Sequence, residues 1–252
     1  MKKDTPTQSR SVVSRCFFLS LLLSLFCLIF LSLKSTFLKT PISSATVDDG
    51  AGLKIRPGFT SYDNYIHHQL HKTTDPKLRK IWTTRDWDRK IRVFAHFFTD
   101  LKHKKLLTNS SKALCVGARV GQEVEALKRV GVWDSIGLDL VPYPPLVIRG
   151  DFHRQPFDDL TFDFEFSNVF DHALYPEKFV GEIQRTLKRG GICVLHVALS
   201  RRSDKYSAND LYSIEPLLKL FNGSDFVYSR KVDGFGLDTE VVFRKRKAIQ
   251  RS

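Results

Sequence analysis

The residues best suited to chemistry stand at the ends of three successive predicted strands. Gly117 and Gly121 follow the first strand in ALCVGARVGQEVEA, and without side chains they let the backbone approach a ligand. Asp139 ends the next strand, about twenty residues further on, where a carboxylate can accept both hydroxyls of a ribose. Asp151 follows a short third strand, where a carboxylate could accept the exocyclic amine of adenine. Because open α/β sheets bind ligands at the carboxyl ends of their strands, this order predicts a nucleoside-containing ligand.

Alternating strands and helices place these residues. The sequence predicts strands at 112–117, 135–140, 146–149, 161–167 and 191–199, helices at 121–131, 176–188 and 208–221, and a closing strand pair at 225–232 and 238–245. Such alternation requires a mostly parallel sheet with helices on both faces, and the closing hairpin adds an antiparallel edge. The expected fold class is therefore α/β, with a Rossmann-like sheet over 111–245.

In this order the motifs resemble those of the class I S-adenosylmethionine-dependent methyltransferases. The resemblance covers about 112–245 and is carried by GxxxG, by Asp139, by GDFHRQPFDDLTFDFEFSNVFDH and by FVGEIQRTLKRGGICVLHV. It is strongest to the methyltransferase type 11 group, in particular its membrane-anchored plant members. The resemblance implies S-adenosylmethionine as cofactor. It also implies a set of cofactor-binding residues: Gly117, Ala118, Arg119, Gly121, Asp139, Leu140, Asp151, Phe152 and Asn168.

The same resemblance gives these positions partners on the cofactor. The two glycines lie beside the methionine moiety, and Asp139 binds the ribose. Asp151 and Phe152 hold the adenine. Asn168, after the fourth strand, lies beside the sulfonium.

Two positions depart from the family pattern. Cys115 stands in the first strand where the family usually has an acid, and Arg119 stands where the family has a middle glycine. The acid helps to hold the amino group of the cofactor, so its loss removes one contact. Arg119 could point outward or pair with the cofactor carboxylate. Both an active transferase and a catalytically silent binding or scaffold protein therefore stay open.

Candidates for catalysis follow the fourth strand, where the methyl acceptor normally lies. Methyl transfer needs an in-line approach of acceptor, methyl and sulfur, with a base only for a hydroxyl or a protonated amine. Asp171 and His172 are the candidate base or acceptor-positioning residues, although His172 could simply hold its loop. His153 is a further candidate base.

The N-terminal segment predicts a membrane anchor. Residues 16–33, CFFLSLLLSLFCLIFLSL, are uncharged and would form a helix of about 27 Å, longer than the apolar region of a cleaved signal. Four basic residues precede this run and two follow it, which predicts a cytosolic tail at 1–15 and a lumenal domain. Sequons at Asn109 and Asn222 agree with this orientation. We expect a single-pass type II protein of the Golgi or endoplasmic reticulum, whose partners are the lipid bilayer and an unknown methyl acceptor.

Between anchor and sheet the sequence predicts a stem or linker at 34–60 and a helical lid or brace at 61–110. A basic tail at 246–252 ends the chain. The helical segment carries one apolar stripe that should pack on the sheet domain. This stripe consists of Trp87, Ile91, Phe94, Phe98 and Leu101.

Charge and motifs argue against three other classes. The formal net charge is +13, but residues 111–243 carry sixteen basic and nineteen acidic residues, so no nucleic-acid partner is expected. The Gly-x-Gly-x-x-Gly of dinucleotide binding is absent from the first turn. The DWD at 86–88 resembles the metal-binding motif of glycosyltransferases, but it lies at a predicted helix start, where acids favour the helix dipole. No metal site is predicted, glycosyl transfer is the weaker alternative, and the sequence leaves the oligomeric state open.

Overall fold

A computed structural model describes residues 52–200 and 204–247 of the chain. The predicted tail at 1–15 and anchor at 16–33 lie outside these residues. Among the residues described, none of the helices combines the length and the apolar composition needed to cross a bilayer. Residues 52–58 and 63–247 of the described chain fall within one compact unit, and residues 59–62 are assigned to a second unit.

Regular elements occupy most of the described chain. The strands are β1 (Leu53–Ile55), β2 (Ala113–Val116), β3 (Ser135–Asp139), β4 (Val147–Arg149), β5 (Phe162–Ser167), β6 (Leu187–Val197), β7 (Asn209–Leu211), β8 (Ser224–Lys231) and β9 (Thr239–Lys245). The helices are α1 (Tyr62–Thr74), α2 (Pro76–Thr83), α3 (Trp87–His103), α4 (Gln122–Arg129), α5 (Pro176–Thr186) and α6 (Glu215–Leu220), and a 3₁₀ turn spans Phe170–His172.

The central sheet has the strand order β4-β3-β2-β5-β6-β9-β8. Strands β2 to β6 run parallel, and β9 pairs antiparallel with both β6 and β8. This order confirms the predicted α/β class with an antiparallel hairpin edge. Because β2 pairs with β3 on one side and with β5 on the other, the chain reverses its direction of progress across the sheet at β2. A ligand cleft is expected at the carboxyl ends of these strands.

The middle of the sheet is buried on both faces. In β2 all four residues are buried, and alternate side chains enter different cores. Leu114 and Val116 pack with the cluster that includes α5, whereas Ala113 and Cys115 pack with the cluster that includes α3 and α4. This alternation is the period-two pattern of a strand, and it explains why the first strand is apolar throughout.

Helix α3 packs on the sheet through its apolar stripe. Its residues Ile91, Phe94, Phe98 and Leu101 are buried in one cluster, and the ring centroid of Phe98 lies 5.2 Å from that of Phe166 in β5. The helix begins at the predicted place, since the acids of DWD occupy its N-cap position and its first turn.

The predicted helical segment at 61–110 is divided into three helices. Asp75 ends the first and caps the second, because its carboxylate accepts hydrogen bonds from the backbone N–H groups of Lys77 and Leu78. Pro76 then occupies the first turn of α2, where its missing N–H costs no hydrogen bond.

Two sequence predictions are wrong, one for each strand of a small two-stranded ribbon. Part of the predicted stem at 34–60 forms β1, and the first residues of the predicted helix at 208–221 form β7, its antiparallel partner. The ribbon is held by tertiary contacts, because Arg56 Nη2 lies 2.6 Å from Asp210 Oδ1 and Asn209 Nδ2 donates to the carbonyl oxygen of Phe170. These contacts override the local helical spacing.

A carboxyl group inside β5 makes stability depend on pH. Glu165 is fully buried, and desolvation raises its pKa to about 8 despite the hydrogen bond that its Oε1 accepts from the Thr186 hydroxyl. The folded state therefore favours the neutral acid, whereas the unfolded chain ionises near its usual pKa.

Replacing Glu165 with Gln should remove this pH dependence. Since the folded-state pKa is raised, stability falls as the pH rises from about 4.5 to 8. We expect the melting temperature of Glu165→Gln to rise relative to that of the native chain as the pH increases from about 5 to 8.5. Differential scanning fluorimetry of the full-length chain measures this, with the exposed Glu177→Gln as control. Melting curves that stay parallel over this range would contradict the assignment.

Candidate active site

A cleft lies at the carboxyl ends of β2, β3 and β5. It brings together six of the nine predicted cofactor residues, and α1 contributes a polar wall on the other side. The six residues are Gly117, Arg119, Asp139, Leu140, Phe152 and Asn168. The polar wall consists of Gln69, Lys72 and Thr73 of α1 together with His172. Of the other three predicted residues, Ala118 is buried, Gly121 begins α4, and Asp151 shapes the turn before Phe152.

The turn between β2 and α4 requires its glycines. Gly117 and Gly121 have φ angles of +76° and +85°. A Cβ atom on Gly117 would collide with Val169, and one on Gly121 would lie 2.6 Å from the Cβ of Leu146. Arg119 between them has a φ of +51°, in the left-handed region that favours glycine, so the backbone keeps the shape that a middle glycine would give.

Asp139 ties this turn to the end of β3. Its Oδ2 accepts a hydrogen bond of 2.8 Å from the backbone N–H of Arg119, and its Oδ1 accepts one of 3.3 Å from that of Val141. The carboxylate is only 8% exposed, and burial raises its pKa while these backbone hydrogen bonds oppose the rise. The group lines the cleft at the position predicted for a ribose partner.

The side chain of Arg119 turns into the cleft wall instead of solvent. Its guanidinium carbon lies 5.4 Å from the centre of the Trp82 ring, and its Nη2 lies 3.9 Å from Glu123 Oε1. The side chain is 21% exposed, and its Nε has no hydrogen-bond partner within 52–200 and 204–247. The guanidinium is therefore loosely held beside the ligand space.

Glu123 is a site residue that the sequence did not reveal. It lies in the first turn of α4, is 1% exposed, and its Oε1 accepts a hydrogen bond of 3.0 Å from Asn168 Nδ2. Its Oε2 has no partner among the residues that the structure describes. An acid in a first helical turn is explained by the helix dipole alone, so nothing in the sequence marked it as a ligand group.

Of the two residues predicted to hold the adenine, Phe152 lines the cleft and Asp151 does not. Asp151 Oδ1 accepts a 2.8 Å hydrogen bond from the backbone N–H of His153, which fixes the turn and presents the Phe152 ring to the cleft. That ring packs against Phe179 with a centroid distance of 5.2 Å. His153 is buried, and its Nε2 accepts from the backbone N–H of Tyr175, so the structure favours a supporting role over that of a base.

The two predicted catalytic residues occupy different places. His172 lines the cleft, with its Nδ1 3.0 Å from Gln69 Oε1 and its Nε2 3.2 Å from Lys72 Nζ. Because a lysine ammonium can only donate, this arrangement places the proton of a neutral ring on Nδ1. Asp171 does not line the cleft, and its carboxylate instead accepts a hydrogen bond from the Ser207 hydroxyl at 2.5 Å. Its Oδ2 also lies 4.0 Å from His172 Nε2, so Asp171 stands beside His172 but outside the lining of the cleft.

Lys72 is a second residue that sequence reasoning missed. Its Nζ lies 2.9 Å from Asp204 Oδ2, and burial lowers the pKa of Lys72. Burial would raise the pKa of Asp204, but the hydrogen bond from Lys72 holds it at about 2. Contacts across more than a hundred residues create this group, and on a polar helix such as α1 no local pattern predicts them.

Comparison with known proteins agrees with this geometry. Residues 114–195 match the methyltransferase domain model, Methyltransf_11. No curated protein matches the chain.

Solved structures share the fold. A Burkholderia thailandensis 1,6-didemethyltoxoflavin-N1-methyltransferase with bound S-adenosylhomocysteine is 16% identical, with a TM-score of 0.57 over 77% of this chain and 95% of that one. A Haloferax volcanii complex of the Trm112 methyltransferase activator with a candidate methyltransferase gives 18% identity and a TM-score of 0.53, over 68% of this chain and 97% of the matched chain. Domain match and fold together support a class I methyltransferase with S-adenosylmethionine as cofactor.

The residues of the cleft fit that cofactor. Asp139 offers a buried carboxylate to a diol and Phe152 offers an aromatic ring to a base. Glu123, directly behind the cleft residues Arg119 and Asn168, keeps one carboxylate oxygen without a partner in the described chain. The cofactor carries a ribose diol, an adenine and an ammonium group, and each has a matching group here.

Replacing Gly121 with Ala should destabilise the turn. The added Cβ meets Leu146, and the φ of +85° is strained for any side chain, so we expect a loss of about 1–3 kcal/mol in the free energy of unfolding. Gly181 in α5 is the matched control, because its added Cβ meets nothing within 4 Å and alanine favours helix. Chemical denaturation of both variants measures the difference. Equal stability of the two would contradict the described turn.

Proposed function

We propose that this chain is a membrane-anchored S-adenosylmethionine-dependent methyltransferase that acts on a small polar acceptor such as a saccharide. The observation that carries the proposal is the cleft at the switch point of the sheet, where Asp139, Phe152 and Asn168 meet the polar wall of α1. A cleft with one face for a nucleoside and another for a polar group suits a two-substrate transfer.

The residues of this chain would mainly bind and orient. When bound, S-adenosylmethionine supplies an electrophilic methyl group, so the protein need only align an acceptor with it. Asp139 would hold the ribose, Phe152 the adenine, and Asn168 the region of the sulfonium. Residues Gln69 and Lys72 would then face the acceptor.

His172 is positioned to receive a proton only after a rearrangement. Its Nε2 faces Lys72 Nζ at 3.2 Å in the cleft as described. A hydroxyl acceptor would have to displace the lysine from this nitrogen before it could donate its proton there. An acceptor that reacts as an anion would need no such step, and Lys72 could then hold its charge.

The proposed location rests on the N-terminal sequence and on exposed sequons. Residues 16–33 are long enough for a thin bilayer, and the excess of positive charge precedes them. Asn109 and Asn222 are both exposed, as glycosylation requires. These features support a single-pass type II protein of the Golgi or endoplasmic reticulum with a lumenal domain, and the resemblance to membrane-anchored plant members agrees with them.

Two alternatives keep part of this proposal. A catalytically silent binding or scaffold protein would use the same cleft without turnover. Glycosyl transfer would need Asp86 and Asp88 to hold a metal beside a sugar nucleotide, but they lie at the start of α3, and each has an arginine within 4.0 Å. The second alternative is therefore the weaker one.

Cofactor binding tests the proposal directly. We expect isothermal titration calorimetry of the full-length chain to show binding of S-adenosylmethionine. Asp139→Ala should weaken it at least tenfold through loss of the ribose contact and of the hydrogen bond that holds the turn at Arg119. Asp225→Ala, an exposed acid of β8, serves as control. A native chain without binding would overturn both the transferase and the silent binding protein. If the native chain binds the cofactor, transfer of a labelled methyl group to a microsomal extract indicates the transferase, and absence of transfer indicates the silent binding protein.

Glycan analysis tests the orientation. If the domain is lumenal, the protein expressed in plant or animal cells should lose mass on endoglycosidase treatment, and Asn109→Gln with Asn222→Gln should abolish that change. In intact microsomes the domain should resist added protease. Degradation by protease without membrane disruption would place the domain in the cytosol instead.

A further inference from the structure

A buried carboxylate with an unpartnered oxygen is the most unusual group of the site. Leaving a charged acceptor buried and unpaired costs free energy, so such a group normally meets a donor in the functional state. Glu123 Oε2 has no partner among the described residues, although the residue is 1% exposed. Oε2 can therefore accept a hydrogen bond from one more donor.

The neighbours of Glu123 connect it to the cleft. Its Oε1 accepts from Asn168 Nδ2 at 3.0 Å and lies 3.9 Å from Arg119 Nη2, and both of these side chains line the cleft. On the strand side it is close enough to Cys115 to influence that thiol, whose pKa is raised mainly by burial and further by the charge of Glu123. The carboxylate thus stands beside the end of β2, behind two cleft residues.

Arg119 is the residue that can uncover this carboxylate. Its contact with Glu123 is long at 3.9 Å, and its Nε lacks a partner in the described chain. Moving the guanidinium away costs little if another cation takes its place beside Glu123. A ligand with both an ammonium and a carboxylate group provides that cation and at the same time gives Arg119 a new anionic partner.

We propose that Glu123 binds the α-ammonium group of the amino-acid end of S-adenosylmethionine, and that Arg119 pairs with its carboxylate. The acid for this end of the cofactor then comes from the first turn of α4 instead of from β2, where Cys115 stands. This inference rests on the proposed function. It gives Arg119 a role in binding and explains how the site can lack an acid at the position of Cys115.

Two adenosine thioethers separate this role from a structural one. S-adenosylhomocysteine carries the amino-acid end, and 5′-methylthioadenosine lacks it. Titration calorimetry on the full-length chain should show at least tenfold weaker binding of S-adenosylhomocysteine to Glu123→Gln than to the native chain, ~1.4 kcal/mol. Binding of 5′-methylthioadenosine should change by less than about twofold. Glu125→Gln is the matched control, since this acid lies on the same helix and pairs with Arg129.

Arg119 provides a second, independent variant in case Glu123→Gln does not fold. Arg119→Met should weaken the binding of S-adenosylmethionine at least tenfold. It should change the binding of decarboxylated S-adenosylmethionine by less than about twofold, because only the former has a carboxylate.

Equal weakening of both thioethers by Glu123→Gln would overturn the inference and make Glu123 a support of Asn168, with the proposed function intact. A native chain that binds neither thioether would overturn the proposed function itself.

Discussion

The hydrogen bond from the backbone N–H of Arg119 to the Asp139 carboxylate fixes the geometry on which the site depends. It joins the turn after β2 to the end of β3, so two neighbouring strands and the start of α4 move as one unit. The left-handed backbone at three positions of that turn makes the bond possible. Asn168, on the other side of β2, completes the frame through Glu123. A cofactor would therefore meet a site largely formed in advance.

Predictions from the sequence were most accurate where a local residue pattern also marks the place at which a ligand binds. The succession of strands and helices, the glycine turn and the placement of Asp139 follow from period and spacing, because parallel strands end at a common edge. Prediction failed where partners are distant in sequence. Lys72 reaches Asp204 only through the fold, and Glu123 in a first helical turn already has an ordinary explanation. Residues 208–214 have helical spacing, but pairing with β1 decided their conformation.

The cleft draws its two walls from separate parts of the chain. The wall that suits a nucleoside lies within or next to 114–195, the part that matches a methyltransferase domain. Most of the polar wall, including Gln69 and Lys72, belongs to α1, well before that part, and only His172 of this wall lies within it. Changes in α1 can thus alter the polar wall without disturbing the turn at Arg119. If the acceptor lies against α1, acceptor choice and cofactor binding are encoded separately.

The ribbon of β1 and β7 would have a mechanical consequence if the chain is tethered as proposed. Any pull transmitted from the N-terminal segment reaches β1 before it reaches α1. Strand β1 is held by backbone pairing with β7, and Arg56 adds an ion pair with Asp210 and a hydrogen bond to the carbonyl oxygen of Asp204. With an N-terminal anchor, force would therefore be borne first by the ribbon, before it reached the polar wall of the cleft.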